Sequence, residues 1–236
     1  MSSQTATALS NVETPKAGYE QVIDEICNLN WTKLTEEDII RVAWAYYHFS
    51  VQFRECLEIA RDMYPDDERL LQLDRGERDT DNLSPWPGVA RAGERMNHDE
   101  FMRRTLELAK IPEIGRIVLS DIGNRYLKTV RAIDPKISAL ALATYEDGGL
   151  ERVFRAILTA PSWNGLLQQA FKHFLAEHVR FDSDPDQGHG ALCRHLTPDG
   201  RVLPLWTEFK HMLLEVVPHL AHARREPVNV GAQQCR

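Results

Sequence analysis

The sequence predicts an all-α fold, with seven or eight helices packed into a single domain. Apolar residues recur at steps of three and four along nearly every patterned segment, which is the period of an amphipathic helix. Strand-like alternation is almost absent, and the connections between patterned segments are mostly short, as in helical bundles. The 236 residues are enough to bury one substantial core without disulfide bonds.

The first helix is predicted from Thr35 to about Tyr64. The run Thr35-Glu36-Glu37-Asp38 has the form of a capped helix start, and Pro65 follows the last apolar position. The apolar stripe of this helix consists of Ile39, Val42, Ala43, Tyr46, Phe49, Phe53, Leu57 and Ala60.

A shorter helix is predicted from about Asp67 to Glu77. The segment 79–93 then contains Asp-Asn, Ser-Pro and Pro-Gly steps, which predict a long loop. Each later helix begins at Asn or Pro, residues that suit a helix start. These helices are predicted over Asn97–Ala109, Pro112–Ala132, Pro135–Leu158, Pro161–Asp182 and Pro204–Ala221.

The helical domain is predicted to span residues 17–223. Residues 1–16 are rich in Ser, Thr and Ala and are expected to form a disordered tail, and residues 224–236 form a polar C-terminal tail. The N-terminal residues lack the basic and apolar regions of a signal peptide, which favours a cytoplasmic protein.

The composition excludes several partner classes. Lys plus Arg number 28 against 35 Asp plus Glu, a net charge of −7, and no Lys/Arg block is present, so neither nucleic acid nor an anionic membrane is an expected partner. The most apolar stretches, such as 137–144, are far shorter than the roughly 20 residues of a membrane helix. The four cysteines form no Cys-x-x-Cys pair, which is typical of free thiols.

The predicted helix 161–182 carries polar residues on its apolar stripe. Leu167, Phe171 and Phe174 lead in steps of three and four to His178 and Asp182, where further apolar residues are expected. A carboxylate on a buried face must be paired, protonated or bound to a metal. His and Asp four residues apart share a helix face, which is also the spacing of non-heme metal ligands, although a simple ion pair or hydrogen-bonded pair remains the alternative.

Two other polar residues lie on apolar stripes. His98 has Phe101, Met102 and Thr105 on its own helix face, and Glu146 follows an apolar run. Gly148-Gly149 comes directly after Glu146, and glycines inside a helix indicate a close approach or a local distortion beside a site. A hydrogen-bonded core histidine and a solvated carboxylate are the corresponding structural alternatives.

The pattern formed by these residues resembles the heme-oxygenase-like di-iron oxidases and oxygenases. Glu146 is followed by His178 after thirty-two positions, by Asp182 four further on, and by His189-Gly190. The segment 97–102 is similar to the family helix that opens with a ligand histidine, and 76–79 is similar to the segment with the preceding ligand glutamate. The likeness covers roughly residues 35–220.

The resemblance implies an enzyme with two Fe(II) ions and dioxygen as co-substrate, consistent with carboxylate and imidazole ligands. It implies a small carboxylate-bearing substrate, for which we favour a free amino acid, transformed by oxidative rearrangement, N-oxygenation or C–C cleavage. An external reductant and a homodimer are further expectations. The implied metal ligands are Glu77, His98, Glu146, His178, Asp182 and His189.

Two departures from the family pattern affect this ligand set. Asp182 and His189 are seven residues apart with Pro185 between them, so His189 is expected on a broken or bulged helix if it binds metal. Glu94, four residues before His98, competes with Glu77 as the first carboxylate ligand, and we prefer Glu77.

Other functions remain open from the sequence. A cofactorless oxidase of the pyrroloquinoline-quinone synthase type would need no carboxylate cluster, and a heme-binding module would use His48 as its axial ligand. A thiaminase-like hydrolase would need an activated thiol, for which only Cys56 beside Glu55 is available. A zinc hydrolase and a non-enzymatic interaction protein are the remaining alternatives.

Overall fold

A computed structural model of the chain describes residues 18–79, 85–182 and 188–221, without the side chains of Asp79 and Asp182. This part of the chain forms one all-helical domain, which confirms the predicted fold class. The only strand-like pairing among these residues is an isolated antiparallel bridge between Trp86 and Ala90.

Ten α-helices follow one another along the described chain, and a π-helical turn, Tyr145–Gly149, links the sixth to the seventh. Short 3-10 turns occupy Trp31–Lys33, Gly200–Val202 and Pro218–Leu220. The α-helices are α1 (Gly18–Cys27), α2 (Glu36–Met63), α3 (Glu68–Asp79), α4 (His98–Glu107), α5 (Glu113–Val130), α6 (Pro135–Thr144), α7 (Leu150–Ile157), α8 (Leu166–Asp182), α9 (His189–Cys193) and α10 (Leu203–Val216).

The longest helix, α2, lies at the centre of the domain and packs against α3, α4, α5, α6, α8 and α10. It begins where the sequence predicts, because Thr35 and Asp38 form a reciprocal capping box. The Thr35 hydroxyl accepts a hydrogen bond from the Asp38 backbone N–H at 3.2 Å, and the Asp38 carboxylate accepts one from the Thr35 backbone N–H at 2.9 Å. Its buried stripe, with Tyr46, Phe49 and Phe53, forms the middle of the core.

Three predicted helix boundaries are wrong. The helix expected over 135–158 is interrupted by the π-helical turn between α6 and α7. The helix expected from Pro161 begins at Leu166, and residues 161–165 form a loop in which the Trp163 indole donates to the Ala160 carbonyl at 2.7 Å. The helix expected to reach Ala221 ends at Val216, where the chain continues into a 3-10 turn.

The structure also contains α1, for which the sequence reading proposed no helix. This helix buries Val22, Ile23 and Ile26 against the domain, mainly along α10 and α7. The predicted tails at 1–16 and 224–236 lie outside the described residues, as do residues 80–84 of the predicted loop. No helix in the described ranges has the length and apolarity that crossing a bilayer requires.

Candidate metal centre

Five of the six residues predicted as metal ligands meet in the interior of the domain. Glu77, His98, Glu146, His178 and His189 are each no more than 8% exposed. They belong to five separate segments, which in the same order are α3, the first residue of α4, the π-helical turn, α8 and the first residue of α9. The sixth residue, Asp182, closes α8, and its side chain lies outside the described part of the structure.

Glu77 occupies the middle of this cluster. Its Oε2 atom lies 2.7 Å from His98 Nδ1, and its Oε1 atom lies 3.0 Å from His189 Nδ1. Each carboxylate oxygen of Glu77 therefore faces a different imidazole. His98 Nδ1 is in turn 3.3 Å from His178 Nε2, whereas His189 Nδ1 is 3.4 Å from Glu146 Oε2.

These distances are close to those between atoms that share a metal ion. Ligand atoms bound at about 2.1 Å to one ion lie roughly 3 Å apart. Glu77, Glu146 and His189 each offer one ligand atom within 4.8 Å of the others, and this buried group could hold a metal. His98 and His178 extend the same cluster on the other side of Glu77.

The surroundings of His178 keep its imidazole neutral. Burial lowers the pKa of His178 to about 3, and repulsion from His98 adds to this effect. Its Nδ1 lies 2.7 Å from the Phe174 carbonyl oxygen, so Nδ1 carries the proton and donates it to that carbonyl. The Nε2 lone pair consequently points toward His98, which is the arrangement of a metal-binding histidine with an oriented second nitrogen.

The two carboxylates differ in their electrostatic environment. Burial alone would raise the pKa of Glu77, but the adjacent imidazoles of His98 and His189 outweigh this effect and lower it. For Glu146, burial dominates and the pKa is raised, although His189 opposes the shift. Without a cation, the cluster holds Glu77 ionised and disfavours a second charge on Glu146.

The π-helical turn explains how Glu146 reaches the cluster. Gly148 adopts a φ of 89°, a left-handed conformation that favours glycine, and Asp147 also leaves the helical region. A side chain at Gly149 would meet the Thr144 carbonyl oxygen at 2.0 Å. The distortion expected from the two glycines is therefore present, and π-type turns are frequent at functional sites.

Two polar pairs attach α9 to its neighbours. Arg194, just after α9, donates from Nε to Asp147 Oδ1 at 2.9 Å, and His195 Nε2 lies 2.5 Å from Asp67 Oδ2 at the start of α3. A side chain at Gly190 would lie 2.9 Å from the Glu146 carbonyl oxygen, so α9 packs directly on the π-helical turn. As expected, His189 belongs to a helix separate from the one that ends at Asp182.

Glu94, the competing carboxylate, lies away from the cluster. Its side chain accepts hydrogen bonds from Arg104 Nη1 at 2.7 Å and from the Arg91 backbone N–H at 3.0 Å. The arginine lowers the pKa of Glu94, as in an ordinary surface ion pair. The structure thus places Glu77, and not Glu94, beside His98.

His48 and Cys56, the residues proposed for heme binding and for thiaminase-like hydrolysis, have packing roles. The His48 ring lies directly against Gly123 of α5, where even an added Cβ would come within 2.3 Å, and His48 Nδ1 is 2.9 Å from the Trp44 carbonyl oxygen. Burial raises the pKa of Cys56 to about 12, and Gln52 donates a hydrogen bond to its sulfur at 3.0 Å. Such a thiol is a poor nucleophile.

The sequence reading missed two groups of residues beside the cluster. Ser50, Phe53 and Leu150, together with Tyr46 of the α2 stripe, line a cavity of about 10 Å³ that touches four of the clustered residues. This volume is roughly that needed for one water molecule. The sequence indicates only that Tyr46 lies on the apolar stripe of α2, because helical spacing does not distinguish a site-lining ring from a core ring.

A polar cavity of about 60 Å³ adjoins the Glu77–His98 edge of the cluster. Arg54 lines it and donates to Asp99 Oδ2 at 2.9 Å and to Glu58 Oε1 at 2.8 Å. Arg78 and Asn97 also line this cavity. Asp99 directly follows His98, and this adjacency is the one sequence signal that indicates a residue of the polar cavity.

Comparison of the chain with protein-family models, with curated proteins and with solved structures finds no match. The likeness to the heme-oxygenase-like di-iron family stays a prediction from the sequence motifs.

Proposed function

We propose that this protein is a non-heme oxidase or oxygenase that uses two Fe(II) ions and dioxygen to transform a small carboxylate-bearing metabolite, with a free amino acid as the favoured substrate. The proposal is supported by the buried carboxylate and imidazole cluster and by the sequence motifs of the heme-oxygenase-like di-iron enzymes.

The donor set suits iron. Carboxylate and imidazole ligands without thiolate favour iron or manganese over softer metals. Cys193 is the thiol that interacts electrostatically with Glu146 and His189, and burial raises its pKa well above its ordinary value. In the metal-free protein it therefore stays protonated.

One observation carries the proposal of two ions rather than one. The two oxygens of Glu77 face different imidazoles, at 2.7 Å and 3.0 Å. Glu77, His98 and His178 would hold one ion, and Glu77, Glu146 and His189 the other. A carboxylate shared in this way is a usual feature of two-metal sites.

The protein would provide the setting for the chemistry of the metal ions. When bound, two ferrous ions supply electrons that reduce dioxygen, and an external reductant would return them to the ferrous state. The chain orients His178 through the Phe174 carbonyl, and the rings of Phe174 and Phe154 cover His178 at centroid distances of 4.1 and 5.6 Å. This apolar cover excludes water from one side of the site.

The polar cavity supports the proposed substrate class. Two arginines, Arg54 and Arg78, line this cavity beside Glu77 and His98, together with the carboxylates that pair with them, Glu58, Asp74 and Asp99. A guanidinium group binds a carboxylate with two parallel hydrogen bonds, so a substrate carboxylate would replace Asp99 on Arg54.

The proposal is tested by loading the purified protein with Fe(II) under anaerobic conditions and then adding dioxygen. We expect about two irons per chain and consumption of dioxygen by the loaded protein. Glu77→Gln should lose most of the bound iron, whereas the matched variant Glu94→Gln should bind as the wild type does. Absence of iron uptake, or equal uptake by Glu77→Gln, would contradict the proposal.

A further inference from the structure

Gln52 is a polar side chain in the middle of the aromatic core. It lies on α2 between the buried residues Phe49 and Phe53, and it is only 2% exposed. A buried amide costs free energy unless its hydrogen-bonding groups have partners. A leucine at this position would avoid that cost, so we expect the amide to hold specific neighbours in place.

The Gln52 amide forms three hydrogen bonds. Its Oε1 atom accepts one from the Tyr126 hydroxyl of α5 at 3.0 Å. Its Nε2 atom donates to the Tyr145 hydroxyl at 3.1 Å and to Cys56 Sγ, one turn further along α2, at 3.0 Å. Burial raises the pKa of both tyrosines well above the ordinary value of 10.0, so both hydroxyls are neutral. Gln52 therefore connects α2 with α5 and with Tyr145.

Tyr145 is the first residue of the π-helical turn and directly precedes Glu146. Its buried ring packs edge-on against Phe49 and Trp206, at centroid distances of 5.1 Å in both cases. These aromatic neighbours fix the body of the ring, and the hydrogen bond from Gln52 fixes its hydroxyl end. The position of Tyr145 in turn determines where the π-helical turn begins.

Trp206 holds the other end of this turn. A side chain at Gly149 would come within 3.0 Å of Trp206 Cζ2, so the indole lies directly on the last residue of the turn. The indole N–H donates to Thr144 Oγ1, just before the turn, at 2.9 Å. A π-helical turn is a rare conformation, and contacts of this kind keep it in one place along the helix. Glu146 lies between the two anchored ends.

We propose that Gln52 is a positioning residue for the metal centre, which acts through Tyr145 to hold Glu146 at its distance from Glu77 and His189. This inference rests on the proposed function, which assigns Glu146 to a metal ion. A leucine in place of Gln52 would fill the space but would leave the Tyr145 hydroxyl without its donor. The start of the turn would then be free to shift, and Glu146 would move with it.

The test compares Tyr145→Phe with the matched control Tyr126→Phe, both in the full chain. Each variant removes one phenol hydroxyl that is bonded to the Gln52 amide, so the two lose a similar buried hydrogen bond. Of the two, Tyr145→Phe alone releases the turn. A third variant, Gln52→Leu, removes the donor instead and should behave as Tyr145→Phe does.

Hydrogen exchange of the metal-free protein gives the first readout. We expect the backbone amides of residues 146–150 to exchange on the order of tenfold faster in Tyr145→Phe and Gln52→Leu than in the wild type, relative to the amides of α8. In Tyr126→Phe this ratio should equal that of the wild type. The ratio separates a local release of the turn from a general loss of stability, which would accelerate exchange in α8 as well.

Iron binding gives the second readout. Tyr145→Phe should weaken the binding of the Fe(II) ion assigned to Glu146 on the order of tenfold, whereas Tyr126→Phe should bind iron as the wild type does. An unchanged exchange ratio in Tyr145→Phe, or an iron affinity reduced equally in both variants, would overturn the proposal. A wild type that binds no iron would contradict the proposed function, and the exchange ratio alone would then decide whether Gln52 holds the turn.

Discussion

Glu77 illustrates how contacts with individual side chains stabilise a buried negative charge. A buried carboxylate is stable only when hydrogen bonds or opposite charges compensate its lost hydration. Glu77 has such partners on both oxygens, whereas Glu146 has His189 Nδ1 at the longer distance of 3.4 Å. The raised pKa of Glu146 reflects this weaker compensation of its charge. A bound cation would therefore stabilise ionised Glu146 more than it stabilises Glu77.

We therefore expect Glu146→Gln to stabilise the metal-free protein while impairing iron binding. The amide avoids burying a second negative charge, which should raise the free energy of unfolding at pH 7 by about 1 kcal/mol. The bound iron should fall to about one ion per chain or less, because one proposed ligand is lost. Urea denaturation of the metal-free protein and iron analysis of the loaded protein measure the two effects.

The stability gain expected for Glu146→Gln should depend on pH. The pKa of Glu146 is raised in the folded state above its ordinary value of 4.5. Its stability contribution is present in full below pH 4.5 and is lost as the pH rises through the raised value, so the advantage of Glu146→Gln should grow from pH 4 to pH 7. Glu151→Gln, which weakens the i,i+4 ion pair with Arg155, should be slightly destabilising. A Glu146→Gln variant less stable than wild type at pH 7 would contradict this account.

At the scale of secondary structure, the packing of α9 on the π-helical turn fixes the spacing of His189 and Glu146. Gly190→Ala would place a methyl group 2.9 Å from the Glu146 carbonyl oxygen and 3.2 Å from Asp147 Cα, so α9 must move outward. We expect the iron affinity to fall on the order of tenfold, as for changes in residues that orient metal ligands.

Gly200→Ala is the matched control for this change. A side chain at Gly200 meets no atom within 4 Å, and the iron affinity of this variant should equal that of the wild type. Iron titration of both variants measures the difference. Equal affinities for Gly190→Ala and Gly200→Ala would mean that contact between α9 and the turn does not position the site.

Helical periodicity predicted most of the secondary structure. The α2 capping box and the stripes of α4, α5 and α8 are local features, so the sequence contains them in full. The break at Tyr145–Gly149 was indicated only by Gly148 and Gly149, because a π-helical turn has no apolar period of its own. Residues 161–165 were misassigned because a proline near a helix start and a proline in the preceding loop look alike.

Some polar residues of the site were predictable because they interrupt an apolar stripe, and not because they follow the helical period. His98 and His178 interrupt apolar stripes, which makes them visible in the sequence. Glu77 does not stand out in its charged helix, and its resemblance to a family segment favoured it over Glu94. Arg54 and Ser50 were missed because their proximity to the cluster depends on how α2 packs against α3 and α4, which no local pattern specifies.

At the scale of the whole molecule, the cluster joins parts of the chain that are far apart in sequence. Residues from α3, α4, the π-helical turn, α8 and α9 meet in one buried volume around Glu77. Ions held there would connect these segments and would stabilise the folded state over the unfolded state by an amount that grows with the logarithm of their affinity. We propose that Glu77 lies between two metal ions in this volume.

Anomalous diffraction from crystals grown with Fe(II), recorded at the iron absorption edge, tests this claim most directly. We predict two anomalous peaks per chain, one beside Glu77 Oε2 and the imidazoles of His98 and His178, and one beside Glu77 Oε1, Glu146 and His189. No peak in this cavity, or iron bound only elsewhere on the chain, would contradict the account.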